Sequence, residues 1–115
     1  MKPKSVSAVV YNVADLGKTI AFYEGLGFRI GKNDGRVAVV YVNWFAIEFH
    51  QTNDIDDNPK DGPIMLVSVD DVAAYYESAL AASYTPVHEP KPTVNGRKEF
   101  TLQDPNGYTV VFFEK

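Results

Sequence analysis

One pattern occurs twice in this chain, and it constrains the fold more than any other feature. Val13-Ala14-Asp15-Leu16 and Val69-Asp70-Asp71-Val72 stand 56 residues apart, and each follows an alternating or apolar run and opens a helical stripe. In the first copy Asp15 is the expected N-cap, and Leu16, Ile20, Tyr23 and Leu26 share one helical face. Gly25 and Gly27 mark the helix stop. In the second copy Asp70 or Asp71 is the cap, and the stripe is Val72, Tyr75, Tyr76, Ala79 and Leu80. Phe28 and Tyr84 each stand 13 residues after their cap position, Asp15 and Asp71. Strand patterns cover 6–13, 28–31, 36–42 and 44–51 in the first copy. In the second they cover 63–69, 84–88, 97–103 and 108–114, with Glu89-Pro-Lys-Pro-Thr read as a stiff loop.

Each copy therefore reads strand, helix, strand, strand, strand. One helix covers only one face of such a sheet, so two units are expected to act together. The expected architecture is α+β, with two paired βαβββ modules forming a curved, cup-shaped mixed sheet and helices on its outer face. Module one spans 5–51, a polar linker 52–62, and module two 63–115. The linker's Asp54, Asp56 and Asp57 lack the ligand order, central Gly and closing Glu of a calcium loop, so a solvated connection is expected. The second module ends in a hairpin, because Asp104-Pro105-Asn106-Gly107 between two apolar runs supplies the residues a tight turn needs.

Composition narrows the function classes. Eleven Lys and Arg against fifteen Asp and Glu give a net charge of −4, which disfavours nucleic acid and anionic membrane as partners. With no Cys, disulfides, thiolate catalysis and Cys-based metal sites are excluded. No apolar run approaches the ~20 residues that span a bilayer. The N-terminus lacks a signal-peptide pattern, so a cytoplasmic location is expected. Ser7, Ser68, Ser78 and Ser83 lack a flanking glycine elbow, and Gly-rich phosphate loops are absent.

Two motifs carry a resemblance that covers 5–114. Asp15-Leu16 with Phe22-Tyr23-Glu24-Gly25-Leu26-Gly27-Phe28 resembles the "DL…FYxxLGF" run of the vicinal oxygen chelate superfamily. That group includes glyoxalase I, extradiol dioxygenases, fosfomycin-resistance enzymes and bleomycin-resistance proteins. Gly96-Arg97-Lys98-Glu99-Phe100 with Asp104-Pro105-Asn106-Gly107-Tyr108 resembles its "GxREF…DPxGN" region. The resemblance implies a divalent metal held by a first-strand His and a fourth-strand Glu in each half. The matching positions here are Ala8, seven before Asp15, and Ile64, seven before Asp71, with Glu48 and, four after Gly107, Val111. Ala8, Ile64 and Val111 offer no donor atom to a cation. His50 should share a face with Glu48, but a Glu48/His50 pair lacks a third ligand. No metal, no other cofactor and no catalytic residue is therefore expected.

Alternation assigns Phe45, Ile47, Phe49, Val110 and Phe112 to the helix side. Trp44, Ala46, Glu48, His50, Thr109, Val111 and Phe113 go to the concave side, with Arg97 and Glu99 as further polar points. An apolar, aromatic lining with a few polar groups suits a small-molecule pocket. The expected ligand-binding residues are Trp44, Glu48, His50, Arg97, Glu99, Val111, Phe113, Ala8 and Ile64. Each also has a plainer reading: Trp44 as an edge or dimer contact, His50 as a surface residue, Arg97 and Glu99 as a cross-strand ion pair. His88, beside the proline loop, has no partner visible in the sequence.

The resemblance thus implies a metal-independent protein of the bleomycin-resistance branch, not an enzyme, sequestering a bulky aromatic or cationic small molecule as a homodimer. The alternative is a metal-dependent lyase or dioxygenase with a non-standard site, for instance Glu48, His50 and Glu99. A third reading is a structural or regulatory dimer with a collapsed pocket.

Overall fold

The computed structural model describes residues 1–53, 62–94 and 96–114. Residues 54–61, which hold most of the expected linker and its Asp54, Asp56 and Asp57, lie outside the described residues. The chain forms two compact units, Met1–Asp57 and Asn58–Lys115, each built on the same plan.

In the first unit, β1 (Val9–Val13) leads into α1 (Leu16–Gly25), followed by β2 (Arg29–Asn33), β3 (Val37–Val42) and β4 (Phe45–Gln51). The sheet order is β1-β4-β3-β2, with β1 parallel to β4 and the other pairs antiparallel. In the second, β5 (Ile64–Ser68), α2 (Val72–Ala81), β6 (Lys91–Pro92), β7 (Lys98–Gln103) and β8 (Thr109–Glu114) give the order β5-β8-β7-β6. Again the first and last strands of the unit, β5 and β8, are parallel. The fold class is α+β with two βαβββ units.

The caps explain why both helices start where they do. Asp15 is extended at φ −134° and its carboxylate accepts from the Lys18 N–H at 3.0 Å. Asp71 repeats this at φ −137° with the Ala74 N–H at 3.0 Å. A second cap escaped the sequence reading. The Gln51 side chain accepts from the Leu16 N–H and the Glu114 side chain from the Val72 N–H, both at 3.0 Å. The end of each closing strand thus ties down the first turn of its unit's helix. Removing Asp15 or Asp71 by substitution with Ala is expected to cost about 1 kcal/mol each in urea unfolding.

Each unit has one core, between its helix and one sheet face. In the first, Tyr23 stacks on Phe49 with centroids 4.9 Å apart and meets Phe28 edge-on at 5.1 Å. Val13, Val40, Ile47 and Phe49 are fully buried beside it. In the second, Phe100 and Phe112 stack at 5.3 Å, and Tyr75 packs on Phe112 at 4.7 Å. Burial raises the Tyr75 hydroxyl to about 12, with Tyr84 adding a smaller push. The fold thus favours the neutral phenol. Its contribution is complete below pH 10 and is lost as pH climbs from 10 towards 12. Ultraviolet difference titration should show late tyrosine ionisation together with alkaline unfolding, and Tyr75→Phe should lower its amplitude by one tyrosine.

Several expectations need correction. The strand expected over 6–13 is confined to Val9–Val13, the part in register with β4. Leu80 is 42% exposed and lies outside the core stripe of α2. The extended piece expected over 84–88 is not a strand. The stiff loop instead contributes β6, where Lys91 and Pro92 pair with Glu99 and Lys98. Pro92 is tolerated because β6 is an edge strand. Trp44 does not begin β4. It sits with Asn43, at φ 58°, in a two-residue turn closed by the Val42–Phe45 pair.

The closing hairpin is as expected. The Asp104 carboxylate accepts from the Asn106 and Tyr108 N–H groups at 2.8 and 3.0 Å, and the Gly107 N–H donates to the Asp104 carbonyl at 2.9 Å. Gly107, at φ 90°, takes the left-handed conformation that the turn exit requires.

Candidate functional site: the helix-free sheet faces

The face of each sheet turned away from its helix carries the residues of interest. In the first unit three strands place them in rows. Glu48 stands between Val10 and Val39, and His50 between Asn12 and Val37. Ala46 stands opposite Tyr41. By alternation Ala8, just before β1, belongs to the Val10 row's side of the sheet. Val10 is 52% exposed, so this apolar surface is open beside the carboxylate. Glu48 and His50 are both half-buried and joined by one contact, Oε1 to Nε2 at 2.9 Å. That contact leaves the second carboxylate oxygen of Glu48 without a partner from this pair.

Tyr41, which sequence reasoning did not single out, extends the face towards β2. The Arg29 guanidinium lies 5.2 Å from its ring centroid. Arg29 also donates to the Asn43 carbonyl at 3.1 Å, bracing the turn that holds Trp44. Trp44 is 88% exposed on that turn. Gly31 makes room for the tyrosine, since a Cβ there would meet the Tyr41 ring at 2.6 Å.

In the second unit Val111 stands between Leu66 and Thr101, and Phe113 between Ser68 and Glu99. Val10 with Glu48 and Leu66 with Val111 are therefore equivalent pairs in the two units. Ile64, the first residue of β5, and Leu66 are exposed. Val111 and Phe113 are each only 7% exposed. The Arg97 guanidinium lies 4.5 Å from the Phe113 ring centroid and covers it as a cation–π partner. His88, which had no partner visible in the sequence, reaches the neighbouring strand. Its Nε2 lies 3.1 Å from the Thr101 Oγ1 and its Nδ1 2.7 Å from the Glu89 carbonyl oxygen.

The donor chemistry does not fit the divalent metal of the resemblance. Among its four positions Ala8, Ile64 and Val111 carry hydrocarbon side chains, and only Glu48 has an oxygen. Among the described residues no three His, Cys, Asp or Glu side chains converge on one point. The arrangement offers instead apolar contact, aromatic faces and one accessible carboxylate in the first unit.

The family model described as "Glyoxalase/Bleomycin resistance protein/Dioxygenase superfamily" matches residues 5–112. Solved structures match throughout the chain. A hypothetical protein from S. aureus is 18% identical with a TM-score of 0.84, covering 100% of this chain and 96% of its own. A bleomycin-binding protein complexed with bleomycin is 22% identical with a TM-score of 0.78, covering 97% and 99%. A lactoylglutathione lyase from Agrobacterium tumefaciens is 18% identical with a TM-score of 0.76, covering 99% and 96%. At these identities the likeness establishes the fold. No curated protein matches the chain. Among the described residues no helix is long and apolar enough to cross a membrane.

Proposed function

The chain belongs to the Glyoxalase/Bleomycin resistance protein/Dioxygenase superfamily, and we propose that within it the protein binds a bulky aromatic or cationic small molecule without a metal. The observation that carries this reading is Glu48. It is a half-buried carboxylate on a sheet face that also carries Val10, Val39 and Tyr41, at the one metal-ligand position that still bears a donor. A lone carboxylate flanked by Val10, Val39 and Tyr41 suits a cation with an apolar body better than it suits a metal ion. His50 fixes one of its oxygens. Trp44 is an aromatic surface at the edge of the same unit, held by the Arg29 brace. Ala8 adds apolar area, and in the second unit Ile64, Val111, Phe113, Arg97 and Glu99 are the residues proposed to meet ligand. The bleomycin complex formed by a structural neighbour makes bleomycin the first probe.

The same reading takes the protein as a cytoplasmic homodimer, which light scattering after gel filtration checks directly. The binding test is a thermal-shift screen of bleomycin and aromatic cations, followed by calorimetric titration of any stabilising compound. Saturable stabilisation by a compound carrying positive charge is the expected result. Stabilisation only by anionic compounds, or by none, would overturn the proposal.

A further inference from the structure

We propose that Thr101 in the second unit is a hydrogen-bond-accepting subsite, set in that role by His88 and selective for ligands that present an N–H. This rests on the small-molecule-binding reading above but uses different residues. The Glu89 carbonyl can only accept, so the His88 Nδ1 at 2.7 Å must carry the proton. In the neutral ring Nε2 is then an acceptor, and the Thr101 hydroxyl at 3.1 Å must donate to it. With its one proton committed, Oγ1 turns only lone pairs towards an incoming molecule. Donation to the imidazole also enriches that oxygen, because hydrogen bonds in a chain polarise one another.

The position favours contact with a ligand. Thr101 pairs with Val111 across the β7–β8 ladder, and Val111 is the counterpart of Glu48. The His88 segment is tied to the same strand by the Val87 N–H, which donates to the Thr101 carbonyl at 2.9 Å. Pro90 and Pro92 limit the ways this segment can rearrange. The imidazole therefore holds the threonine hydroxyl in one orientation before any ligand arrives. His88 is a positioning residue, and Thr101 is the group proposed to touch ligand.

Two aromatic cations of similar shape test this: benzylammonium, which has N–H donors, and benzyltrimethylammonium, which has none. In the native chain benzylammonium should bind about 10- to 100-fold more tightly, the range of one added hydrogen bond from a charged donor. Thr101→Val should lower that ratio about ten-fold or more, and Thr101→Ser should preserve it. Nitrogen-15 NMR of the histidine rings should show His88 protonated on Nδ1, with Thr101→Val moving the Nε2 resonance. Equal binding of the two cations, absence of binding by either, or a ring protonated on Nε2 alone would overturn the subsite. Failure of the Glu48 reading is separately visible, because Glu48→Gln would then leave the affinity for both cations unchanged.

Discussion

Phe112→Ala is expected to destabilise the second unit by about 3–5 kcal/mol in urea unfolding, the largest single effect predicted here. Phe112 is fully buried. It stacks on Phe100 at 5.3 Å and packs against the tilted Tyr75 ring at 4.7 Å, so its removal strips two aromatic partners at once. It also pairs with Val67 and Phe100 in neighbouring strands, which limits collapse of the surrounding backbone into the void. The cost therefore combines lost transfer energy with a cavity that the sheet cannot close. A loss below about 1 kcal/mol, far under that range, would mean that this cluster is not the core of the unit.

Glu48→Gln is expected to weaken binding of an aromatic cation by about 10- to 100-fold, the equivalent of about 1.5–3 kcal/mol for a hydrogen-bonded charge. The amide keeps the size and one acceptor oxygen of the carboxylate, so packing around Val10 and Val39 is preserved. What it removes is the negative charge. Glu48→Gln should therefore leave the unfolding midpoint nearly unchanged while the affinity falls. His50→Ala should have a smaller effect, since it frees the Oε1 contact without removing charge. Equal affinities for native protein and Glu48→Gln would place the ligand elsewhere.

Local and repeated features of this fold were legible in the sequence. Both N-caps, both helices and the Asp104–Gly107 turn depend on residues within a few positions of one another. The repeat doubled each such signal. The missed side-chain contacts share a physical cause, which is distance along the chain. Gln51 meets Leu16 across 35 residues and Glu114 meets Val72 across 42, so nothing near either residue announces a cap. His88 finds Thr101 thirteen residues away only because β7 is held next to its segment. Trp44 was misplaced for a different reason. Its intrinsic preference for strands was outweighed by Asn43, whose tolerance of positive φ makes a two-residue turn there. At β6, proline argued against a strand, but an edge strand does not require the missing donor.

The alternation that placed Glu48 and His50 on one side, and Phe49 and Ile47 on the other, follows from the strand period alone. It could not show that Tyr41 continues the open face with Arg29 against it. That depended on the register of β3 with both β2 and β4. Nor could it show that Val111 and Phe113 are buried, or that Arg97 lies over the Phe113 ring.

Calorimetric titration of bleomycin in two parallel samples tests whether ligand binding needs a metal. One sample of native protein is stripped with a chelator, and the other is supplied with zinc. The same dissociation constant is expected in both, with no ion retained in proportion to protein. Binding that appears only with metal, at one ion per chain and lost on Glu48→Ala, would contradict it.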